Sequence, residues 1–157
     1  MSTNNRKPIY MLGGGVVTVV LALIAGFEGY RDEAYLDSAG VPTIGYGTTY
    51  GVEMGDTITR EMAEEMLLRD TSYAGQAVER CVHVPLVPNE YAAYVSLAYN
   101  IGEGAFCRST LVRKLNAGDY TGACNELPRW VYAGGQRLRG LEIRREKERR
   151  MCLGESP

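Results

Sequence analysis

The sequence predicts an α+β domain in which a small, turn-rich sheet is followed by a mostly helical body. The chain has 157 residues, the usual size of one domain. Residues 34–50 combine short runs of Tyr, Val, Thr and Ile with glycine and proline, which predicts a β-meander. From Thr59 onward, capping residues and glycine stops mark one helix after another. Helix, small sheet and then many helices is an order typical of the α+β class.

The helices can be placed from their start and stop signals. A helical apolar pattern runs first from Val16 to about Arg31. Thr59 is a suitable N-cap, and the glutamates that follow it suit the helix dipole, so the second helix is expected to reach about Cys81. Further helices are expected to begin at Asn89, Ser109, residue 119 and Leu138 and to end near Gly102, Asn116, residue 126 and Leu153. A turn is expected around Gly134 and Gly135.

The charges are few and unevenly placed. The net charge is −2, so a dedicated nucleic-acid-binding protein is not expected. Arg129–Arg150, however, holds eight basic and three acidic residues. We expect this basic stripe to be a solvated helix face. Attraction to an anionic cell wall or membrane surface is the functional alternative.

The 20 residues from Pro8 to Phe27 carry no charge. As a helix with a rise of ~1.5 Å per residue, this run spans roughly 30 Å, the thickness of the bilayer core. Arg6 and Lys7 precede it, and the positive-inside rule then predicts a cytoplasmic N-terminus with the rest of the chain outside. Four glycines and a threonine make the run a weak anchor.

Two other interpretations of this run stay open. A cleaved signal peptide would be cut after Ala25, but Leu23 stands where a small residue is preferred. A buried core helix is also consistent, because Leu21, Ile24 and Phe27 follow one another at helical spacing. The same residues could serve the membrane first and the core later.

The cysteines indicate disulfides rather than a metal site. Cys81, Cys107, Cys124 and Cys152 form no CxxC pair, and His83 is the only histidine, so no metal is expected. An even number of cysteines behind an export segment is typical of disulfides. Four cysteines allow three pairings, of which local packing favours Cys81–Cys107 and Cys124–Cys152. Four free cytosolic thiols are the alternative.

Two carboxylates are the candidate catalytic groups, because the sequence has no GxSxG, HExxH or P-loop motif. Glu28 follows Phe27 in a helix, where desolvation favours the protonated form that a general acid needs. Asp37 lies in the turn-rich segment, where solvent and backbone donors favour the ionised form. Such a pair is the arrangement of glycosidases, and the Thr43 hydroxyl could orient a water. Solvated surface carboxylates are the alternative on spacing alone.

At these residues the sequence resembles the phage lysozymes, glycoside hydrolase family 24. The segment FEGYRDEAYLDSAGVPTIGYGTT holds Glu28, Asp37 and Thr43 in an E–x8–D–x5–T arrangement. The likeness continues in EYAAYVSLAYNIGEGAF, STLVRKLNAGDYTGAC and RWVYAGGQRLRGLEIRREKER and covers roughly residues 21–153. It implies a lysozyme-like fold, with a small sheet lobe and a helical lobe on either side of a cleft. It also implies cleavage of the β-1,4 bond between N-acetylmuramic acid and N-acetylglucosamine in peptidoglycan.

The resemblance implies a role for each site residue. Glu28 is the expected general acid, Asp37 the base or electrostatic partner of the attacking water, and Thr43 a residue that holds this water. Either Arg144 or Arg145 is expected to approach Glu28. The implied enzyme needs no cofactor and is expected to be a monomer.

One departure from the family pattern is visible. Relatives often read TIGYGHT, whereas Thr48 takes the place of the histidine here. The role of that position is therefore in doubt, and the three residues of the E–x8–D–x5–T arrangement are unaffected.

Some phage lysozymes carry an uncleaved signal-arrest-release segment, and residues 1–27 resemble one. We therefore expect a tether in the host inner membrane that later releases the enzyme into the periplasm. Residues 28–157 are then the catalytic domain, and the second half of the segment merges with the catalytic helix. Since Leu21–Phe27 cannot be in lipid and in the fold at once, the tethered form is expected to be inactive.

Two other functions stay open. A lytic transglycosylase also uses a catalytic glutamate, although Asp37 and Thr43 favour hydrolysis. A membrane-tethered wall-binding protein without catalysis is the alternative from another class.

Overall fold

The computed structural model describes residues 5–12 and 15–155, so Gly13 and Gly14 of the predicted membrane segment lie outside the described residues. In the described ranges the helices are α1 (Gly15–Glu28), α2 (Arg60–Cys81), α3 (Pro88–Ile101), α4 (Glu103–Cys107), α5 (Thr110–Asn116), α6 (Tyr120–Cys124) and α7 (Arg139–Cys152). The strands are β1 (Arg31–Leu36), β2 (Pro42–Gly45), β3 (Tyr132–Ala133) and β4 (Gln136–Arg137). The predicted α+β class is confirmed.

The first sheet is a two-stranded antiparallel hairpin that begins earlier than predicted. Tyr35 lies opposite Thr43, and an irregularity in register separates this pair from Arg31 opposite Gly45. The first helix was expected to reach Arg31, but it ends at Glu28. Gly29 follows with a φ of +68°, which glycine adopts without steric cost and which stops the helix.

Helix α1 packs against α2 and α3 through a stripe of aliphatic residues. Val16, Val20 and Ile24 are buried at four-residue spacing. The predicted stripe was partly wrong, because Leu21 and Phe27 are only partly buried and flank the true contact line. No helix in the described part of the chain is long and apolar enough to cross a membrane.

The helical body begins where its caps predict, with one exception. The side chains of Thr59 and Ser109 accept hydrogen bonds from the backbone of Met62 and Val112, as expected for N-caps. Asn89 is not a cap, since α3 starts one residue earlier at Pro88. Proline is favoured at the first helical position because it needs no N–H partner there.

Two disulfides close the helical body with the predicted pairing. Cys81–Cys107 joins the end of α2 to the end of α4, with 5.4 Å between the Cα atoms. Cys124–Cys152 joins the end of α6 to the end of α7, with 5.7 Å between the Cα atoms. Both separations are normal for disulfides.

The basic stripe of α7 is not a solvated face throughout, which corrects the expectation from sequence. Lys147 and Arg150 are exposed, whereas Arg144 and Arg145 are buried. Because α7 packs along α3, the residues on its inner side lose contact with water whatever their charge. The buried arginines are paired with carboxylates in the candidate active site.

The segment before α1 returns to the helical body. The backbones of Lys7 and Leu86 exchange two hydrogen bonds of 2.9 Å. Arg6 Nε lies 3.1 Å from Oε1 of the buried Glu90, and its guanidinium stacks 3.7 Å from the centre of the Tyr120 ring. Arg6 and Lys7 are therefore packed against the helical body.

Candidate active site

Glu28 is the last residue of α1, and its carboxylate faces Arg144 on the buried side of α7. Its side chain keeps 21% of its exposure, and Arg144 Nη1 lies 2.5 Å from Oε1. The Arg144 guanidinium also lies 4.8 Å from the centre of the Phe27 ring. The arginine thus holds one carboxylate oxygen of Glu28 through a charge-assisted hydrogen bond.

The turn after β2 closes over the other oxygen of Glu28. Gly47 has a φ of +96°, and a Cβ atom at this position would lie 3.0 Å from Glu28 Oε2. A residue larger than glycine would therefore be strained and would push against the carboxylate. The conformation of Gly47 brings the sheet lobe into contact with the end of α1.

Asp37 follows β1 and is held by its own turn. Its Oδ1 accepts hydrogen bonds from the backbone N–H groups of Ala39 and Val41, at 2.8 and 2.9 Å. The expected backbone donors are therefore present. Thr43 lies on β2 with its side chain buried, and its hydroxyl donates to the Val41 carbonyl at 2.9 Å. Asp37 and Thr43 thus share the Val41 turn.

The charges of both carboxylates affect the pKa of Tyr35. Burial and the charge of Glu28 raise the pKa of Tyr35, the charge of Arg31 lowers it, and Asp37 adds a smaller increase. Tyr35 also pairs with Thr43 across the hairpin. Tyr35, which the sequence did not single out, therefore lies opposite Thr43 and feels the charges of Glu28 and Asp37.

A cleft of about 300 Å³ opens beside Gly47, between the turn after β2 and helices α2 and α3. Its lining includes Gly47, Tyr50, Asp70, Tyr73, Tyr99 and Glu103. Glu28 lies beside the cleft, behind Gly47. Burial, then the charges of Glu28 and Asp70, raise the pKa of Tyr99, so this phenol is neutral at physiological pH.

Side chains from the helical body hold the sheet lobe at the cleft. The Thr48 hydroxyl donates to Asp70 Oδ2 at 3.0 Å, and the Tyr99 hydroxyl donates to the Tyr46 carbonyl at 2.8 Å. Tyr46 in turn accepts a hydrogen bond from Arg60. These contacts span long distances in the sequence, so periodicity and spacing gave no signal for them.

A sequence model of the phage lysozyme family matches residues 25–148, most of the chain. The chain belongs to the phage lysozyme family. The predicted enzyme class, a lysozyme-type glycoside hydrolase, is thereby confirmed.

Individual relatives agree with this assignment. The chain is 38% identical to the SAR-endolysin of Enterobacteria phage P21 in an alignment of 149 residues that covers 90% of each protein. Its fold matches the endolysin of Escherichia coli O157:H7 phage FAHEc1 with a TM-score of 0.77 at 37% identity, over 94% of this chain and 96% of that one. The muramidase domain of SpmX from Asticaccaulis excentricus matches with a TM-score of 0.78 at 35% identity, over 88% and 96% of the two chains. These structures confirm the predicted lysozyme-like fold.

In this phage lysozyme, Arg144 is the arginine that contacts Glu28. Arg145 instead donates a hydrogen bond to Asn100 and pairs with Glu148. The sequence left the two arginines as alternatives, and the rotation of α7 against α3 decides between them. Within residues 5–12 and 15–155, no group of three or more His, Cys, Asp or Glu side chains is placed to hold a metal ion.

Proposed function

We propose that this phage lysozyme is an endolysin that hydrolyses the β-1,4 bond between N-acetylmuramic acid and N-acetylglucosamine, with Glu28 as general acid. The contact of Glu28 with Arg144, next to the Gly47 turn that lines the cleft, carries this proposal. Arg144 fixes one oxygen of the carboxyl, and Gly47 leaves room for the other beside the cleft. A fixed carboxyl next to a sugar-sized cleft is what proton donation to a glycosidic oxygen requires.

Asp37 and Thr43 act on the attacking water in this proposal. Two backbone N–H groups hold Oδ1 of Asp37, so its other oxygen is left to accept a hydrogen bond from water. Since the Thr43 hydroxyl donates to the Val41 carbonyl, its oxygen is left to accept one from the same water. Inversion at the sugar carbon would need roughly 6.5–9.5 Å between the two carboxyls.

The test is clearing of a peptidoglycan suspension by purified protein. Glu28→Gln keeps the shape of the side chain but removes its acid, and the rate is expected to fall by about 10²- to 10⁴-fold. Mass spectrometry then separates hydrolysis from the transglycosylase alternative. A reducing-end sugar supports hydrolysis, whereas a 1,6-anhydro sugar or full activity of Glu28→Gln would overturn the proposed mechanism.

We further propose that the N-terminal run first tethers the enzyme in the host inner membrane, with its N-terminus in the cytoplasm, and then releases it into the periplasm. The absence of charge from Pro8 to Phe27 supports the tether. The buried stripe of α1 supports release, because Val16, Val20 and Ile24 reach their positions in the fold only outside the lipid. The relative from phage P21 is itself named a SAR-endolysin.

Replacing Gly13, Gly14 and Gly15 by leucine tests release. Leucine makes insertion of the run into the membrane more favourable, so the variant is expected to stay in the membrane fraction and to lyse cells poorly. Replacing the same glycines by serine serves as the control, since serine does not strengthen insertion. Lysis by the leucine variant at the parental rate would contradict the proposed release step.

A further inference from the structure

Glu148 is a second carboxylate near Glu28, and it is fully buried. It lies on α7 with no measurable exposure. Its Oε1 accepts a hydrogen bond of 2.6 Å from the Ser96 hydroxyl and lies 3.3 Å from Arg144 Nε. Its Oε2 lies 3.2 Å from Arg145 Nη1. Glu148 therefore sits between two arginines behind the Glu28–Arg144 pair.

The guanidinium of Arg144 is held at each of its three nitrogen atoms. Nη1 contacts Glu28, Nε contacts Glu148, and Nη2 donates to the Ser96 carbonyl at 3.2 Å. A guanidinium is planar and rigid, so fixing two of its nitrogens determines where the third one points. Glu148 and Ser96 thus determine the direction in which Nη1 approaches Glu28.

The cluster is poorly suited to a purely stabilising role. Buried ion pairs seldom add net stability, because removing the charges from water offsets their attraction. Among the described residues, Arg145 Nε and Nη1 and Glu148 Oε2 also lack a partner with hydrogen-bond geometry. Burial lowers the pKa of Arg145 to about 10 and raises the pKa of Glu148. These are the marks of a cluster whose arrangement serves the neighbouring site.

We propose that Glu148 is a positioning residue of this lysozyme: it orients Arg144 and, through Arg144, holds Glu28 at the cleft. The inference rests on the proposed role of Glu28 as general acid. The charged and titratable groups around the cluster are Glu28 from α1, Arg144 and Arg145 from α7, and Tyr99 from α3. Of these groups, Glu148 contacts the two arginines directly and reaches Glu28 only through Arg144.

Glu148→Gln tests this role with little change in shape. Glutamine keeps an oxygen for Ser96 but loses the charge that holds Arg144 Nε. The guanidinium is then free to turn, and its hold on Glu28 loosens. On a soluble peptidoglycan fragment, kcat is expected to fall by about 10-fold or more with KM changed less than about 2-fold. The pH–rate profile is expected to change as well, because the cation beside the proposed acid is held less firmly.

Glu126→Gln is the matched control. Glu126 is also a buried glutamate between two cations, with Lys114 Nζ at 2.6 Å and Arg129 Nη1 at 3.1 Å. Loss of the Glu126 charge is expected to lower the free energy of unfolding, whereas kcat and the pH profile are expected to stay as in the parent. Ser96→Ala provides a second variant, which removes the hydroxyl bond to Glu148 and the 3.4 Å contact of the same hydroxyl with Arg144 Nη2. Because the Ser96 carbonyl still holds Arg144, a smaller change in the same direction is expected.

The outcomes separate the two proposals. A folded Glu148→Gln with parental kcat and pH profile overturns the positioning role, as does an equal change in Glu126→Gln. If Glu148→Gln does not fold, an unchanged pH profile of Ser96→Ala overturns it. Activity retained by Glu28→Gln instead overturns the proposed role of Glu28.

Discussion

Position 47 accommodates only glycine, for two separate reasons. Its φ of +96° is strained for any residue with a Cβ atom, and that atom would lie 3.0 Å from Glu28 Oε2. Gly51 has a φ of +71°, but a Cβ atom there would meet nothing within 4 Å. The two glycines therefore share the backbone requirement and differ in the contact with Glu28.

Gly47→Ala is expected to reduce the rate of peptidoglycan clearing by about 10- to 100-fold, because a small displacement of a reacting group is costly to catalysis. Gly51→Ala is the control. Both variants are expected to lose about 1–3 kcal/mol in the free energy of unfolding from backbone strain. Urea unfolding and the clearing assay check the two effects separately, and equal rates for the two variants would contradict the contact argument.

Thr48 shows how a departure from the family pattern is accommodated. The threonine hydroxyl donates to Asp70 and so links the sheet lobe to α2 at the edge of the cleft. A hydroxyl does not titrate near neutral pH, whereas a histidine would. The Thr48 hydroxyl therefore keeps the same protonation state, and the same hydrogen bond, around neutral pH.

At the scale of elements, α1 and the segment before it are the parts that would fold onto the helical body after the proposed release. α1 ends in Glu28 and buries its stripe against α2 and α3. Arg6 binds Glu90, which is 2% exposed and also accepts a hydrogen bond from the backbone of Val87 at the start of α3. In a tethered chain Arg6 would lie across the membrane from Glu90, so this contact belongs to the released form.

Arg6→Met is expected to lower the free energy of unfolding by about 1–3 kcal/mol, because it leaves the buried Glu90 carboxylate without its cation. Urea unfolding of the purified protein measures this change. Lys7→Met is the matched control, since Lys7 meets Leu86 through its backbone and its side chain is exposed. Equal stability of the two variants would show that the Arg6–Glu90 contact adds nothing.

At the scale of the whole molecule, the disulfides hold the ends of helices that carry the site. Cys124–Cys152 anchors the end of α7, the helix of Arg144 and Glu148. Cys81–Cys107 anchors the end of α2, the helix of Asp70. Disulfides persist in oxidising compartments such as the periplasm, so the proposed export and the stability of the fold are linked.

Replacing Cys124 and Cys152 by serine is expected to lower the free energy of unfolding by about 2–4 kcal/mol, because the unfolded chain regains the entropy of a closed loop. Urea unfolding measures the loss. The parent protein in reductant should approach the behaviour of a variant that lacks all four cysteines. A parent whose unfolding midpoint does not respond to reductant would contradict this dependence.

Much of the fold was predictable because its signals are local. The caps Thr59 and Ser109 bond to backbone groups three residues away, and Gly102 ends α3 as expected. The first helix was placed too long, because apolar periodicity does not register the turn at Gly29. Of the site, Asp37 has the backbone donors that its turn predicts. The catalytic roles of Glu28, Asp37 and Thr43 stay predictions.

By itself, the sequence predicted the α+β class from local patterns and favoured the cysteine pairing that the structure has. Its resemblance to the phage lysozymes supplied the family and the three residues proposed for catalysis. Only the tertiary structure decided that Arg144 contacts Glu28, that Glu148 is buried behind them, and that Arg6 docks on Glu90. Arg144 and Arg145 are neighbours of the same type, and only the packing of α7 on α3 and α1 distinguishes them. Burial of a charge is a property of the assembled molecule, because it depends on which distant side chains supply its partners.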